Sequence, residues 1–123
     1  MPGLGAMVRL AVTLQDVGKS GHSLARALRA VARGTRFERG CDSCSVWSDR
    51  IDDAVRYEES WHDEAALSDH VKSARFTQLL QIIEAAPHPP DVHVDFVSGQ
   101  RGLDYIASIR EVFTENDSDA DET

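Results

Sequence analysis

A chain of 123 residues, 41% of them hydrophobic and 28% charged, can bury one core and needs no second domain. Its formal net charge of -8, with no basic stripe interleaved with aromatics, argues against a phosphate backbone as partner, and its apolar runs fall far short of a membrane span. Met1–Met7 lacks the basic and long apolar regions of an export signal, so a cytoplasmic protein is expected, and its two cysteines form no disulfide framework.

In chain order, Val8, Leu10, Val12 and Leu14 alternate with Arg9, Ala11, Thr13 and Gln15, which predicts a first strand. Asp16 to Gly21 reads as a loop. Gly18-Lys19-Ser20 is similar to the end of a phosphate-binding loop, but the required earlier glycine would fall at Thr13. Ser23 is placed to cap a helix with Leu24, Ala27, Leu28 and Val31 on one side and Arg26, Arg29 and Arg33 on another, ended by Gly34. Gly40 to Trp47 predicts a second strand, turning through Ser48–Asp53 into a third over Ala54–Trp61. Period two then groups Val55, Tyr57, Glu59 and Trp61 on one face and Arg56, Glu58 and Ser60 on the other.

Asp63 is a plausible N-cap for a helix carrying Leu67, His70, Val71 and Ala74 at helical spacing; after a break near Lys72-Ser73, Phe76, Leu79, Leu80 and Ile83 repeat the pattern. Pro87-His88-Pro89-Pro90 stops it, and Val92, Val94 and Phe96 alternate with His93, Asp95 and Val97 as a fourth strand. The segment 103–113 suits either a short helix or an edge strand. In the last nine residues Glu115, Asp117, Asp119, Asp121 and Glu122 supply five of the negative charges, so -8 becomes -3 without them. Residues 7–113 are expected to form the domain and 114–123 a disordered acidic tail. The order βαββαβ predicts an α+β fold, a ferredoxin-like antiparallel sheet with helices on one side.

Glu59-Ser60-Trp61 closing a strand, Glu64-Ala65-Ala66-Leu67 opening a helix, then His70-Val71-Lys72-Ser73 and Phe76, preceded by Arg39-Gly40-Cys41-Asp42-Ser43, together resemble the signature of the antibiotic biosynthesis monooxygenase (ABM) domain family. The resemblance covers Val8 to Ser98 and speaks more specifically for the domain than for a substrate. It implies a dimeric α/β barrel, a homodimer made through the open sheet face with Trp47 and Val97 in the contact. It also implies a monooxygenase that uses no cofactor. An electron-rich phenol or quinol is deprotonated and gives an electron to dioxygen, and the radical pair recombines to a peroxide that collapses to product. Small aromatic substrates would stack on Trp61 and Tyr57, with Phe76 and Leu67 also against the ring and Glu59 or His70 as the base. The protein then supplies a dry pocket, orientation and one base of suitable pKa.

Each of these residues also has a plainer reading: Trp61 and Tyr57 as core, Glu59 as a structural acceptor, His70 as a satisfied helix histidine. Cys41-Asp42-Ser43-Cys44 has dithiol or half-zinc-site spacing, but it enters a strand rather than a helix N-terminus, and no second pair completes a metal site. His88 and His93 flank Pro89-Pro90 without ligand spacing, so no metal is expected. The haem-degrading relatives use a first-strand asparagine, a second-helix tryptophan and a later axial histidine. Here Val8–Leu14 holds no Asn, His70 takes the tryptophan's place and Leu80 stands near the ligand's, which disfavours haem cleavage. Three classes stay open: a cofactor-independent monooxygenase, a non-catalytic dimeric ligand-binding module on the same fold, and a thiol redox protein using Cys41 and Cys44.

Overall fold

The computed structural model describes residues 7–97 and 103–111. Alternation builds the sheet as expected. Strands β1 (Met7–Leu14), β2 (Cys41–Asp49), β3 (Ala54–Trp61) and β4 (Asp91–Val97) are antiparallel in the order β2-β3-β1-β4, the ferredoxin-like arrangement. Helices α1 (Gly21–Thr35), α2 (Glu64–Val71) and α3 (Ala74–Glu84) cover one face, and the sheet is open rather than closed into a barrel. A fourth helix, 103–111, settles the ambiguity there against an edge strand. The proposed acidic tail, 114–123, lies outside the described residues. No described helix is long and apolar enough to cross a membrane.

Register explains burial. Val8, Leu10, Val12 and Leu14 pair with Trp61, Glu59, Tyr57 and Val55, so one face of β1 and β3 points under the helices. The same register puts Val92, Val94 and Phe96 of β4 on the helical side, yet all three stay about half exposed because β4 is an edge strand that α1–α3 only partly cover. On the open face Arg9 Nε lies 3.2 Å from Glu58, and Arg56 reaches Asp49 and Asp52 at 3.3 and 3.0 Å. Trp47, opposite Arg56, shares that face and is 42% exposed.

Two apolar clusters form the interior. One joins α1 and α3 to the sheet through Val12, Leu14, Leu24, Leu28, Val55 and Leu79, and the smaller unites Val8, Leu10 and Trp61 with Leu67 of α2. Cys41 and Phe76 touch both.

Local signals worked where a side chain caps its own helix. Asp63 accepts from Ala66 N at 2.9 Å to start α2, and Ser73 accepts from Phe76 N at 3.3 Å to restart the chain as α3. They failed at α1. Ser23 lies inside that helix, which begins at Gly21 directly after a 3-10 turn, Gly18–Ser20. The turn is held from the distant hairpin, since Gly18 N–H donates to the Asp53 carboxylate at 3.1–3.2 Å. Nor does Gly34 end α1, which runs to Thr35; a side chain at Gly34 would overlap the Arg75 guanidinium of α3.

Gly40 makes the turn into β2 at φ +85°, and an added Cβ would stand 2.5 Å from Ala66 Cβ of α2. Replacing Gly40 by Ala should therefore destabilise the fold by about 1–3 kcal/mol, combining left-handed strain with overpacking. Urea denaturation reads this directly, and a loss below about 0.5 kcal/mol, the ordinary range for a surface change, would contradict the close approach.

Candidate functional site

Between the two apolar clusters lies a buried polar group built by β3 and α2. Because β3 alternates, Tyr57, Glu59 and Trp61 project together beneath the helices, where Glu59 and Trp61 are 0% exposed and Tyr57 1%. His70, near the end of α2 and 1% exposed, meets them from above.

Three donors converge on the Glu59 carboxylate. Tyr57 O–H donates to Oε2, Trp61 Nε1–H donates to Oε1 at 2.9 Å, and His70 Nε2 lies 2.7 Å from Oε2. A carboxylate offers about four acceptor positions, so among the described residues one on Oε1 is untaken. The other imidazole nitrogen, Nδ1, lies 2.9 and 3.0 Å from the two oxygens of Glu38, which itself receives Arg75 Nη1 at 2.9 Å. An imidazole with a carboxylate at each nitrogen satisfies both contacts only when both nitrogens carry protons. His70 stacks against Trp61 with centroids 4.7 Å apart and receives Phe76 edge-on at 5.4 Å.

The electrostatics follow from these contacts. Burial alone would lower the His70 pKa, but the hydrogen bond and charge of Glu59, followed by those of Glu38, outweigh it and raise the value above 6.5. Burial, reinforced by the Glu59 charge, drives the Tyr57 phenol far upward, so it stays a donor. Burial also lifts Cys41 to about 11 and Cys44 to about 12, with Glu59 adding to both. Both thiols are unpaired and protonated at neutral pH, which removes the thiolate that dithiol exchange requires.

Two cavities flank α2. On the β2 side a space of about 570 Å³ is bordered by Arg39, Gly40, Cys41, His62, Ala66 and Asp69. On the β4 side a more apolar groove of about 310 Å³ is lined by Leu67, Val71, Val94 and Phe96, with Glu64 and Lys72 among its polar neighbours. Neither is lined by Tyr57, Glu59, Trp61 or His70, which are packed under α2 itself. Of the six residues singled out from sequence, five thus meet in one cluster, while Leu67 both seals it and borders the groove. Among the described residues no three His, Cys, Asp or Glu side chains form a metal-holding group. His93 instead pairs with its strand neighbour Asp91 at 3.0 Å.

Sequence reasoning missed Glu38 and Arg75. Glu38 sits in the turn between α1 and β2, fixed by backbone bonds from its N–H to Thr35 O and from Cys41 N–H to its own carbonyl. Nothing in the spacing of Glu38 and His70, 32 residues apart, announces the contact.

The sequence model of the antibiotic biosynthesis monooxygenase family matches residues 7–81. Among curated proteins none matches by sequence. Solved structures with the same fold include a protein from Pseudomonas aeruginosa, 27% identical with TM-score 0.63, covering 78% of this chain and 96% of that one. A conserved protein of unknown function from Bacteroides thetaiotaomicron, named a possible oxidoreductase, is 20% identical with TM-score 0.64, covering 75% and 96%. A candidate antibiotic biosynthesis monooxygenase from Deinococcus radiodurans is 21% identical with TM-score 0.65, covering 77% and 94%.

The raised His70 value gives stability a definite pH dependence. Its bonds to the two carboxylates contribute fully below the unfolded value near 6.5 and are lost as pH rises through the higher folded value. The stability advantage of the native protein over His70→Gln should therefore narrow as pH rises above about 6.5. Parallel urea titrations measure it; an advantage that stays flat or widens would contradict the doubly bonded imidazolium.

Proposed function

Because the chain belongs to the antibiotic biosynthesis monooxygenase family, we propose that it oxidises an electron-rich aromatic or quinol-type small molecule with dioxygen, without a redox cofactor, and that Glu59 takes the substrate's proton. The observation that carries this reading is the acceptor position left on Glu59 Oε1 beside the Trp61 indole. A ring stacked on Trp61 would bring a hydroxyl to that oxygen. His70, protonated at both nitrogens, would balance the negative charge of the substrate anion.

The anion supplies the electrons. It reduces dioxygen by one electron and recombines with it to a peroxide, which takes back the proton from Glu59 and collapses with loss of the hydrogen on the same carbon, so that one oxygen atom stays as a carbonyl and the other leaves as water. Tyr57 remains a phenol throughout, its role being to hold Glu59 in place.

Reaching Oε1 requires α2 to move, since the cluster is shut beneath it. This helix has eight residues and lies between two cavities, and its displacement would uncover Trp61 and the Oε1 side of Glu59. The groove lined by Leu67, Val71, Val94 and Phe96 suits a flat apolar ring, and Phe76 would border it once inside. The same reading takes residues 7–113 as the working domain and a second copy as the cover of the open sheet face around Trp47 and Val97. It takes the setting to be cytoplasmic, in keeping with two unpaired thiols.

A second reading, a dimeric binding module without catalysis, is favoured by one observation. Tyr57, Glu59, Trp61 and His70 already satisfy one another, as a purely structural group would.

An oxygen electrode with naphthols, anthrones and menadiol separates the two. Uptake by the native protein, reduced about 10²- to 10⁴-fold in Glu59→Gln, supports the oxidation. Ring binding that quenches tryptophan fluorescence without uptake supports the module, and neither binding nor uptake overturns both. For the assembly, sedimentation should show a dimer that Trp47→Glu splits; a native monomer would contradict it.

A further inference from the structure

The oxidation reading puts a substrate anion beside His70, and the structure holds an unassigned carboxylate at the far nitrogen of that imidazole. We propose that Glu38 is a positioning residue for His70 that keeps both ring nitrogens protonated, with Arg75 holding Glu38 in place. This rests on the proposed oxidation.

The geometry is specific. Glu38 presents both oxygens to His70 Nδ1, at 2.9 and 3.0 Å, which turns Nε2 toward Glu59 at 2.7 Å. The imidazole is 0% exposed in its side chain, whereas that of Glu38 is 20% exposed and that of Arg75 38%. The chain Glu59–His70–Glu38 therefore runs from a sealed carboxylate to one that water reaches. Arg75 is itself seated: its guanidinium lies where a side chain at Gly34 would be, so the bare surface of α1 makes room for the residue that pins Glu38.

The proton balance closes within the site. Glu59 takes the substrate's hydroxyl proton while His70, held doubly protonated between Glu59 and Glu38, keeps its charge beside the substrate anion, so the net charge of the buried group with its substrate is unchanged. The proton on Glu59 returns to the peroxide, and the departing oxygen takes its second hydrogen from the oxidised carbon and leaves as water. Without Glu38 the imidazole would lose the carboxylate at Nδ1 that favours its charged form.

The groups around His70 are Glu59 and Tyr57 from β3, Glu38 from the turn after α1, and Arg75 from α3 acting on Glu38. Cys41 of β2 feels the charges of both Glu59 and Glu38, and Cys44 that of Glu59.

The test is nitrogen-proton NMR of the His70 ring in the native protein and in Glu38→Gln, without substrate. The native ring should carry protons on both nitrogens, and Glu38→Gln should lower its titration midpoint by about one unit or more, the size of a lost neighbouring charge. An unchanged midpoint, or a native Nδ1 without a proton at neutral pH, would overturn the proposal. Gly34→Ala provides a second reading, because it displaces only the flexible end of Arg75: faster solvent exchange of the Nδ1 proton supports the pinning, and unchanged exchange removes Arg75 from it. Since no substrate is involved, absent oxygen uptake with intact His70–Glu38 coupling rejects the oxidation alone.

Discussion

One buried carboxylate organises this molecule. Glu59 is fully enclosed between two apolar clusters, where an unpaired charge would be prohibitive, and it is tolerated because Tyr57, Trp61 and His70 all direct donors to it. Two of those donors lie on its own strand and share its face, but the third belongs to α2. The same bond that satisfies the charge therefore docks a short helix over the sheet and sets its rotation, with Leu67 turned into the smaller cluster.

This dependence extends outward. His70 can serve Glu59 with one nitrogen only if the other is also provided for, and Glu38 does so from a turn whose own backbone is tied to α1 and β2. Gly40, two residues on, closes against Ala66 of α2 and accepts from His62 N–H at 2.8 Å. The turn, the end of β3 and the start of α2 thus form one joint, placed beside the larger cavity. The imidazole thus links a sealed carboxylate to one that solvent reaches, and a cavity lies on either side of the helix that carries it.

Much of the frame was legible because its signals are local. Tyr57, Glu59 and Trp61 had to share a face once Ala54–Trp61 was read as a strand, and the Asp63 cap acts within three residues of itself. The failures share a different cause. Ser23 reads as a cap, but the start of α1 is decided by Gly18 bonding to Asp53, 35 positions away. Gly34 reads as a helix stop, but its lack of a side chain serves Arg75 on another helix.

By itself the sequence determined the α+β class, the strand parity and the grouping of Tyr57, Glu59 and Trp61 on one face, because periodicity and capping depend only on neighbours along the chain. Tertiary structure alone decided that Glu59 would be satisfied rather than poised among apolar groups, that His70 would stand between two carboxylates, and that Glu38 and Arg75 would join the same hydrogen-bonded group. Those outcomes depend on how α1, α2 and α3 cross the sheet, and distances through space between residues far apart in sequence leave no periodic trace in it.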